Sequence, residues 1–386
     1  MHEPNSWRVS FFGRASAERP DNGFTAALSR KIVMALGLSG ALLCSASFAM
    51  AQDVASEDLK PAVISLKSSK TLLLDVGLAG ERLVAVGTRG HIVYSDDQGG
   101  SWIQASVPTR QLLTAVQFMD ERNGWAVGHD SLILHTADAG ESWTVQYRDP
   151  EIDAPDEGFG FLEKPLMDVF FRNLQTGFAV GAYGLFLRTD DGGQTWEDIS
   201  ADIDNPDGYH YNALTSIQDS GLFLVGEMGT MYRSSDFGDT WETLTEMPYD
   251  GSWFGVSGTG EAGGVLAWGL RGNMYRSSDF GDSWEQVELI TPNGPLEGTL
   301  AGGQLTADGR LVVVGVGGVV AISDDGGRSF DVTVRPDRVA LANAASLQDG
   351  SILLVGQRGV VKADDQGMSA VENTALTLPV PSDTEE

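Results

Sequence analysis

The chain has 386 residues, 54 of them acidic against 25 basic, for a formal net charge of −29. That balance excludes a nonspecific nucleic-acid binder, whose affinity comes from Lys and Arg, and argues equally against general adhesion to anionic lipid. A single cysteine, Cys44, excludes a disulfide framework.

Residues 29–51 read as a secretory signal. Arg30 and Lys31 are the basic start, Ile32 to Leu43 the apolar core, and Ala49-Met50-Ala51 a small-x-small cleavage site. Residues 1–51 are thus expected to be an extension plus signal, and the mature chain to be exported to a bacterial periplasm. The apolar run is too short for a spanning helix, so no membrane insertion is expected after cleavage. Leu43 stands where a lipoprotein signal needs a small residue before Cys44. Residues 52–70 follow as a short N-terminal segment. Within it, Ala62–Leu66 is one candidate for a strand that closes a ring, and Ser369–Asn373 is the other.

From residue 71 to 374 a unit repeats. Its marker is Ser/Thr-x-Asp-x-Gly-x-x-Trp, seen at Asp97, Asp138, Asp191, Asp236 and Asp279. A sixth copy at Asp325 ends in Phe330, and a seventh at Asp365 has Ala363 and Ala370 at its flanks. The spacings are 41, 53, 45, 43, 46 and 40 residues, a period that marks a repeat architecture.

Upstream of each marker lie short apolar runs broken by a small-residue turn, such as Leu83-Val-Ala-Val-Gly-Thr-Arg-Gly90 and Phe178-Ala-Val-Gly-Ala-Tyr-Gly184. They are β-branched, aromatic and bounded by glycine, hence strands in hairpins. Four strands per unit and seven units predict an all-β chain, a single seven-bladed β-propeller of four-stranded antiparallel blades. The tail, 375–386, is acidic and proline-containing and reads as disordered.

The marker explains itself as scaffold. Its aspartate and the preceding hydroxyl can satisfy the backbone of their own turn, glycine supplies an unusual backbone angle, and tryptophan buries between blades. A feature present seven times is structural rather than catalytic. The run Asp96-Asp97-Gln-Gly lacks the ligand spacing of a calcium loop, and His129, His135 and His210 lack metal-ligand spacing, so no metal and no cofactor are expected.

The marker is that of the Asp-box (BNR) repeat proteins, which include sialidases. The whole unit from Leu113 to Trp143 resembles the photosystem II stability/assembly factor-like family. The resemblance implies a non-enzymatic propeller that escorts or braces an integral membrane protein or membrane complex on its exported face, through arginine-bearing ridges.

Function belongs on variable loops over a rigid scaffold. The glycine turns form one ring of seven positions: Arg89, Asp130, Tyr183, Met228, Arg271, Gly317 and Arg358. Nearby connections add Arg110, Arg335 and Arg338. These arginines, with Tyr183, are the candidate partner-binding residues, and they face an acidic arc from connections 149–157 and 202–207. The alternative is a glycan hydrolase or glycan-binding module. Its only candidate acid/base groups are Asp75, Asp168 and Glu227; a sialidase would need an arginine triad and a tyrosine nucleophile, and the Arg-Ile-Pro segment expected near the start of such enzymes is absent. No catalytic residue is assigned.

Overall fold

The computed structural model describes residues 59–149, 164–368 and the backbone of 375–377. The segment read as a signal lies outside these residues, as do Ser369–Asn373 and most of the connection 149–157.

The first strand of every repeat lines one central channel. These strands are Leu73–Ala79, Leu113–Phe118, Leu166–Phe171, Tyr211–Ile217, Trp253–Gly258, Leu300–Leu305 and Leu341–Ser346. Each packs on the next, and the seventh packs back on the first, closing the ring. Within each blade the second, third and outer strands follow antiparallel in chain order. The second strands Gly124–Gly128, Gly177–Gly181 and Val265–Gly269 are buried at every residue, and that of blade one at every residue but Arg82. They are covered on both faces, which is why they read as continuous apolar runs rather than alternating ones.

The sequence expectation of a seven-bladed, all-β propeller holds. Among the described residues, five blades have four strands, blade one has its four plus a fifth from the C-terminal tail, and the seventh has three. Ala62–Leu66 forms no strand. Its backbone runs instead against blade one, where the Ala62 N–H donates to the Val107 carbonyl at 2.9 Å. The backbone of Ala375–Thr377 pairs in parallel with Ser101–Ile103 of the same blade.

Seven apolar clusters hold the ring, each shared by two neighbouring blades. One contains Trp125 of blade two stacked on Phe171 of blade three, with ring centroids 3.6 Å apart. At about 25 cal/mol per Å² of apolar surface, such contacts supply most of the stabilisation. No blade can bury its faces without neighbours on both sides.

Candidate functional site

The marker loops are closed hydrogen-bond knots on one face of the ring. In the first six, the Ser or Thr hydroxyl donates to the aspartate at 2.7–2.9 Å. That hydroxyl also accepts the glycine N–H at 2.7–3.0 Å. The aspartate then accepts both the N–H and the hydroxyl of a second Ser or Thr, four residues on, as Asp236 does from Thr240 at 2.8 and 2.6 Å. This second hydroxyl, present in all six loops as Ser101, Ser142, Thr195, Thr240, Ser283 and Ser329, was missed in the sequence reading. Its signal was there, in the residue before each aromatic.

The glycine is required by contact as well as by angle. A Cβ on Gly238, at φ +103°, would lie 2.1 Å from the Phe178 ring of the preceding blade. The hydrogen bonds from Thr240 and Ser234 hold the Asp236 carboxyl at about 2. For Asp325 burial works the other way, but bonds from Ser329, Ser323 and Arg328 outweigh it and pull the carboxyl to about 2.

The seventh loop departs from the expectation. Asp364, not Asp365, accepts the N–H groups of Gln366 and Met368, at 3.1 and 2.8 Å. Asp365 is exposed. With Ala363 in place of the anchoring hydroxyl, nothing holds a carboxylate two residues on, and the neighbouring one caps the turn.

Arginines clamp five of the loops to the blade before them. Arg82 donates to the Ala139 carbonyl, Arg188 to Gly238, Arg233 to Phe280 and Arg276 to Gly326, at 3.2, 3.1, 3.1 and 2.8 Å. Each also pairs with a carboxylate, as Arg233 does with Glu242 and Asp282 at 2.8 and 2.7 Å. Arg335 belongs to this class rather than to the partner surface. It is 3% exposed, donates to the Gly367 carbonyl and pairs with Asp337 at 3.2 Å. That corrects its assignment from sequence.

On the opposite face the glycine turns stand as expected. Arg89, Asp130, Tyr183, Met228 and Arg271 occupy left-handed backbone, with φ of 63°, 60°, 57°, 52° and 57°. A non-glycine residue there costs on the order of 1 kcal/mol of strain. Arg89, Tyr183, Met228 and Arg271 nonetheless hold exposed side chains on these apices. Arg358 is exposed in a two-residue hairpin, and Arg338 is exposed at φ 52°. Among the described residues, the guanidinium groups of Arg89, Arg271, Arg338 and Arg358 make no hydrogen bond or ion pair. Arg110 is exposed but donates to the Pro61 carbonyl at 2.9 Å.

The turns dock on the connections between blades, which orders the basic residues. A Cβ on Gly90 would lie 3.3 Å from Arg110 Cα, one on Gly318 would lie 3.2 Å from Arg338 Cα, and one on Gly359 would lie 2.7 Å from Lys70 Cα. Arg338, Arg358, Lys70, Arg89 and Arg110 therefore follow one another over blades six, seven and one. Asp337, among them, is held below the usual range: burial opposes this, and Arg335, the Val339 N–H and Arg358 outweigh it. Arg271 stands apart on blade five. Across the face, Asp202, Asp204 and Asp207 are exposed. Beside them Tyr183 meets His210 edge-on at 4.7 Å, and His210 lies 3.6 Å from Glu227.

The channel, of about 690 Å³, holds two of the three carboxylates weighed for catalysis, Asp75 and Asp168, whereas Glu227 lies on the glycine-turn face beside His210. Asp75 accepts the N–H groups of Val76 and Val116, at 2.8 and 2.7 Å, and a bond from Asn343. Asp168 accepts those of Val169 and Leu214, both at 2.8 Å. Each aspartate thus ties its own blade to the next. Both keep some surface open to the channel yet sit deep in the ring, so burial raises both carboxyls. Asp168 reaches about 7, with the Asp75 charge adding to burial and the Leu214 and Val169 amides opposing it. Every inner strand carries a β-bulge at this level, which turns these side chains along the channel wall.

Fold and capped loops together define an Asp-box β-propeller. The family described as photosynthesis system II assembly factor YCF48 matches residues 100–164 and 160–314, more than half of the chain. The chain belongs to that family. It is 31% identical over 135 residues to the photosystem II assembly lipoprotein Ycf48 of Synechococcus sp. (strain CC9902), and the match spans 35% of each chain. It is 34% identical over 64 residues, 15% of each chain, to the chloroplastic photosystem II stability/assembly factor HCF136 of Oryza sativa subsp. japonica. The matched stretches thus span about a third or less of the length of these relatives. A solved structure of YCF48 bound to D1 peptide superposes with a TM-score of 0.57 at 17% identity, covering 78% of this chain and 97% of that one. At that identity the likeness is one of fold.

Proposed function

We propose that this protein is a non-catalytic accessory factor, exported from the cytoplasm, that binds an integral membrane protein and assists the assembly or stability of its complex. Membership in the YCF48 family suggests a photosystem II-type complex as the class. The observation that carries the reading is the set of exposed, unpaired arginines on the glycine-turn face, Arg89, Arg271, Arg338 and Arg358. In a chain of net charge −29, guanidinium groups left unpaired on turn apices are available as bidentate donors to carboxylates or backbone oxygens of a partner. The test is an Arg89→Ala/Arg271→Ala/Arg358→Ala variant with unchanged melting, compared with wild type for co-purification with membrane proteins from solubilised membranes. A loss of about tenfold or more in recovered partner is expected, since buried interface arginines are each worth about 2 kcal/mol. Unaltered recovery would remove the arc from the proposal.

One observation favours a glycan hydrolase instead. The Asp168 carboxyl, at about 7, lies in the range of a general acid and shares a channel with Asp75. Against it, all four oxygens of the pair already accept hydrogen bonds. Release of reducing sugar from a polysaccharide panel, abolished by Asp168→Asn, would replace the accessory-factor reading with this one.

A further inference from the structure

We infer that segment 60–72 is a docking strip for an anionic lipid surface. Val63, Ile64 and Leu66 are 56, 46 and 60% exposed, and Leu72 is 36% exposed, so four large apolar side chains face water within ten residues. They do so on a segment that is held in place. The Ala62 N–H donates to the Val107 carbonyl at 2.9 Å and the Ser65 N–H to Gln104 Oε1 at 2.8 Å. Gln104 Nε2 donates to the Val63 carbonyl at 3.1 Å, and Arg110 Nε to that of Pro61 at 2.9 Å. Gln104 is 2% exposed, a buried amide with both ends committed to fixing this segment. The protein thus spends four hydrogen bonds to present aliphatic side chains outward, where burying them would be favourable.

The charge around the strip selects the occupant. Lys60, Lys67 and Lys70 are exposed and, among the described residues, make no ion pair, and 60–72 contains no carboxylate. Arg110 lies alongside, with the Arg358 turn beside Lys70. Aliphatic side chains among lysines match the boundary of acyl chains and anionic headgroups, where each basic residue adds attraction and each buried methylene adds transfer free energy. Lysine suits this role as a mobile point charge, whereas an ordered carboxylate partner is better met by arginine's planar fork. Glu57 and Asp58 precede the strip in sequence; the acidic residues more than about 8–10 Å away are screened at physiological salt and disfavour the rest of the surface against an anionic bilayer. The acidic composition thus opposes adhesion to anionic lipid over the surface as a whole but not at this patch. The inference stands whether or not the arginine arc binds a protein.

The experiment uses the full chain and sedimentation with phosphatidylcholine vesicles, with and without about one third phosphatidylglycerol. Two variants are compared with wild type: Val63→Ser/Ile64→Ser/Leu66→Ser and Lys60→Gln/Lys67→Gln/Lys70→Gln. Ile290→Ser, an exposed aliphatic side chain outside the strip, is the control, and residues 1–58 are common to all. Wild type and the control are expected to bind phosphatidylglycerol vesicles in a salt-sensitive manner, and each strip variant to lose about tenfold or more in partitioning. Amide exchange of 62–66 should slow on vesicle addition in wild type and the control but not in the strip variants. Strip variants that bind like wild type, equal binding without phosphatidylglycerol, or unchanged exchange would overturn the inference. An acidic protein segment as the true occupant would appear as lost partner recovery in the lysine variant with no vesicle binding in wild type, and would overturn it as well.

Discussion

Asn343 of the last blade donates a hydrogen bond to Asp75 of the first, across 268 residues of chain, at the seam where the ring closes. Asn343 Oδ1 also accepts the Ala344 N–H at 2.8 Å, and Asp75 passes the link on to Val116 of blade two. The same device joins blades three and four through Asp168. Where blades two and four carry alanine at this level, the preceding residue substitutes: Thr114 Oγ1 donates to the Leu166 carbonyl at 2.7 Å, and Asn212 Nδ2 to that of Trp253 at 2.6 Å. Asn343→Ala should therefore lower stability by about 1–3 kcal/mol, since it leaves buried groups unpaired at the seam. Equilibrium denaturation checks this, and a cost near zero would mean that the apolar cluster between blades seven and one closes the ring alone.

The marker loops predict an asymmetry in blade seven. Asp364→Ala should destabilise more than Asp365→Ala, because Asp364 accepts the turn's N–H groups. In blade four the order is the reverse of the neighbour's: Asp236→Ala should cost about 1–3 kcal/mol and Ser235→Ala close to nothing. Thermal melting of the four variants decides it.

Two classes of arginine separate by stability. Arg233→Ala removes the bond to the Phe280 carbonyl and pairs with two carboxylates, and should cost about 1–2 kcal/mol, with Arg233→Lys recovering little. Arg89→Ala, Arg271→Ala and Arg358→Ala should each lie within about 0.5 kcal/mol of wild type. Denaturant midpoints at constant slope give both numbers.

Stability should respond to pH in two opposite ways. Asp236 and Asp325 sit at about 2 in the folded protein, below the ordinary carboxylate value of 3.8. Their contribution is complete above about pH 4 and is lost as pH falls toward 2. Asp168 sits at about 7, so the folded state binds more protons than the unfolded one between about pH 4 and 7, and this group's contribution declines as pH rises through that window. Asp168→Asn removes that slope, so its stability relative to wild type should improve from pH 4 to pH 8. A difference independent of pH would show that Asp168 titrates normally.

Much of this was legible in the sequence because its signals are local. A hydroxyl, an aspartate, a glycine and an aromatic within eight residues make their own loop, and their return every 40 to 53 residues counts the blades. The glycine turns were equally plain, since backbone angle is decided by the residue and its neighbours, and they placed Arg89, Tyr183, Arg271 and Arg358 on one face. What only the tertiary structure decided involves residues that meet after the ring has closed. Arg233 and Arg276 look like solvated charges beside a serine until the next blade brings a loop carbonyl within reach. Arg335 and Arg338, three residues apart, are indistinguishable in sequence, yet one is buried against Gly367 and the other is exposed. Asp75 and Asp168 read as a catalytic pair or as channel lining, and only the adjoining blades' amides show that both are spent as ties. The exposed strip at Val63, Ile64 and Leu66 looked like a strand seeking a sheet. Whether an apolar run is buried depends on a free edge within its reach, and that is a property of the closed ring, which no stretch of chain carries by itself.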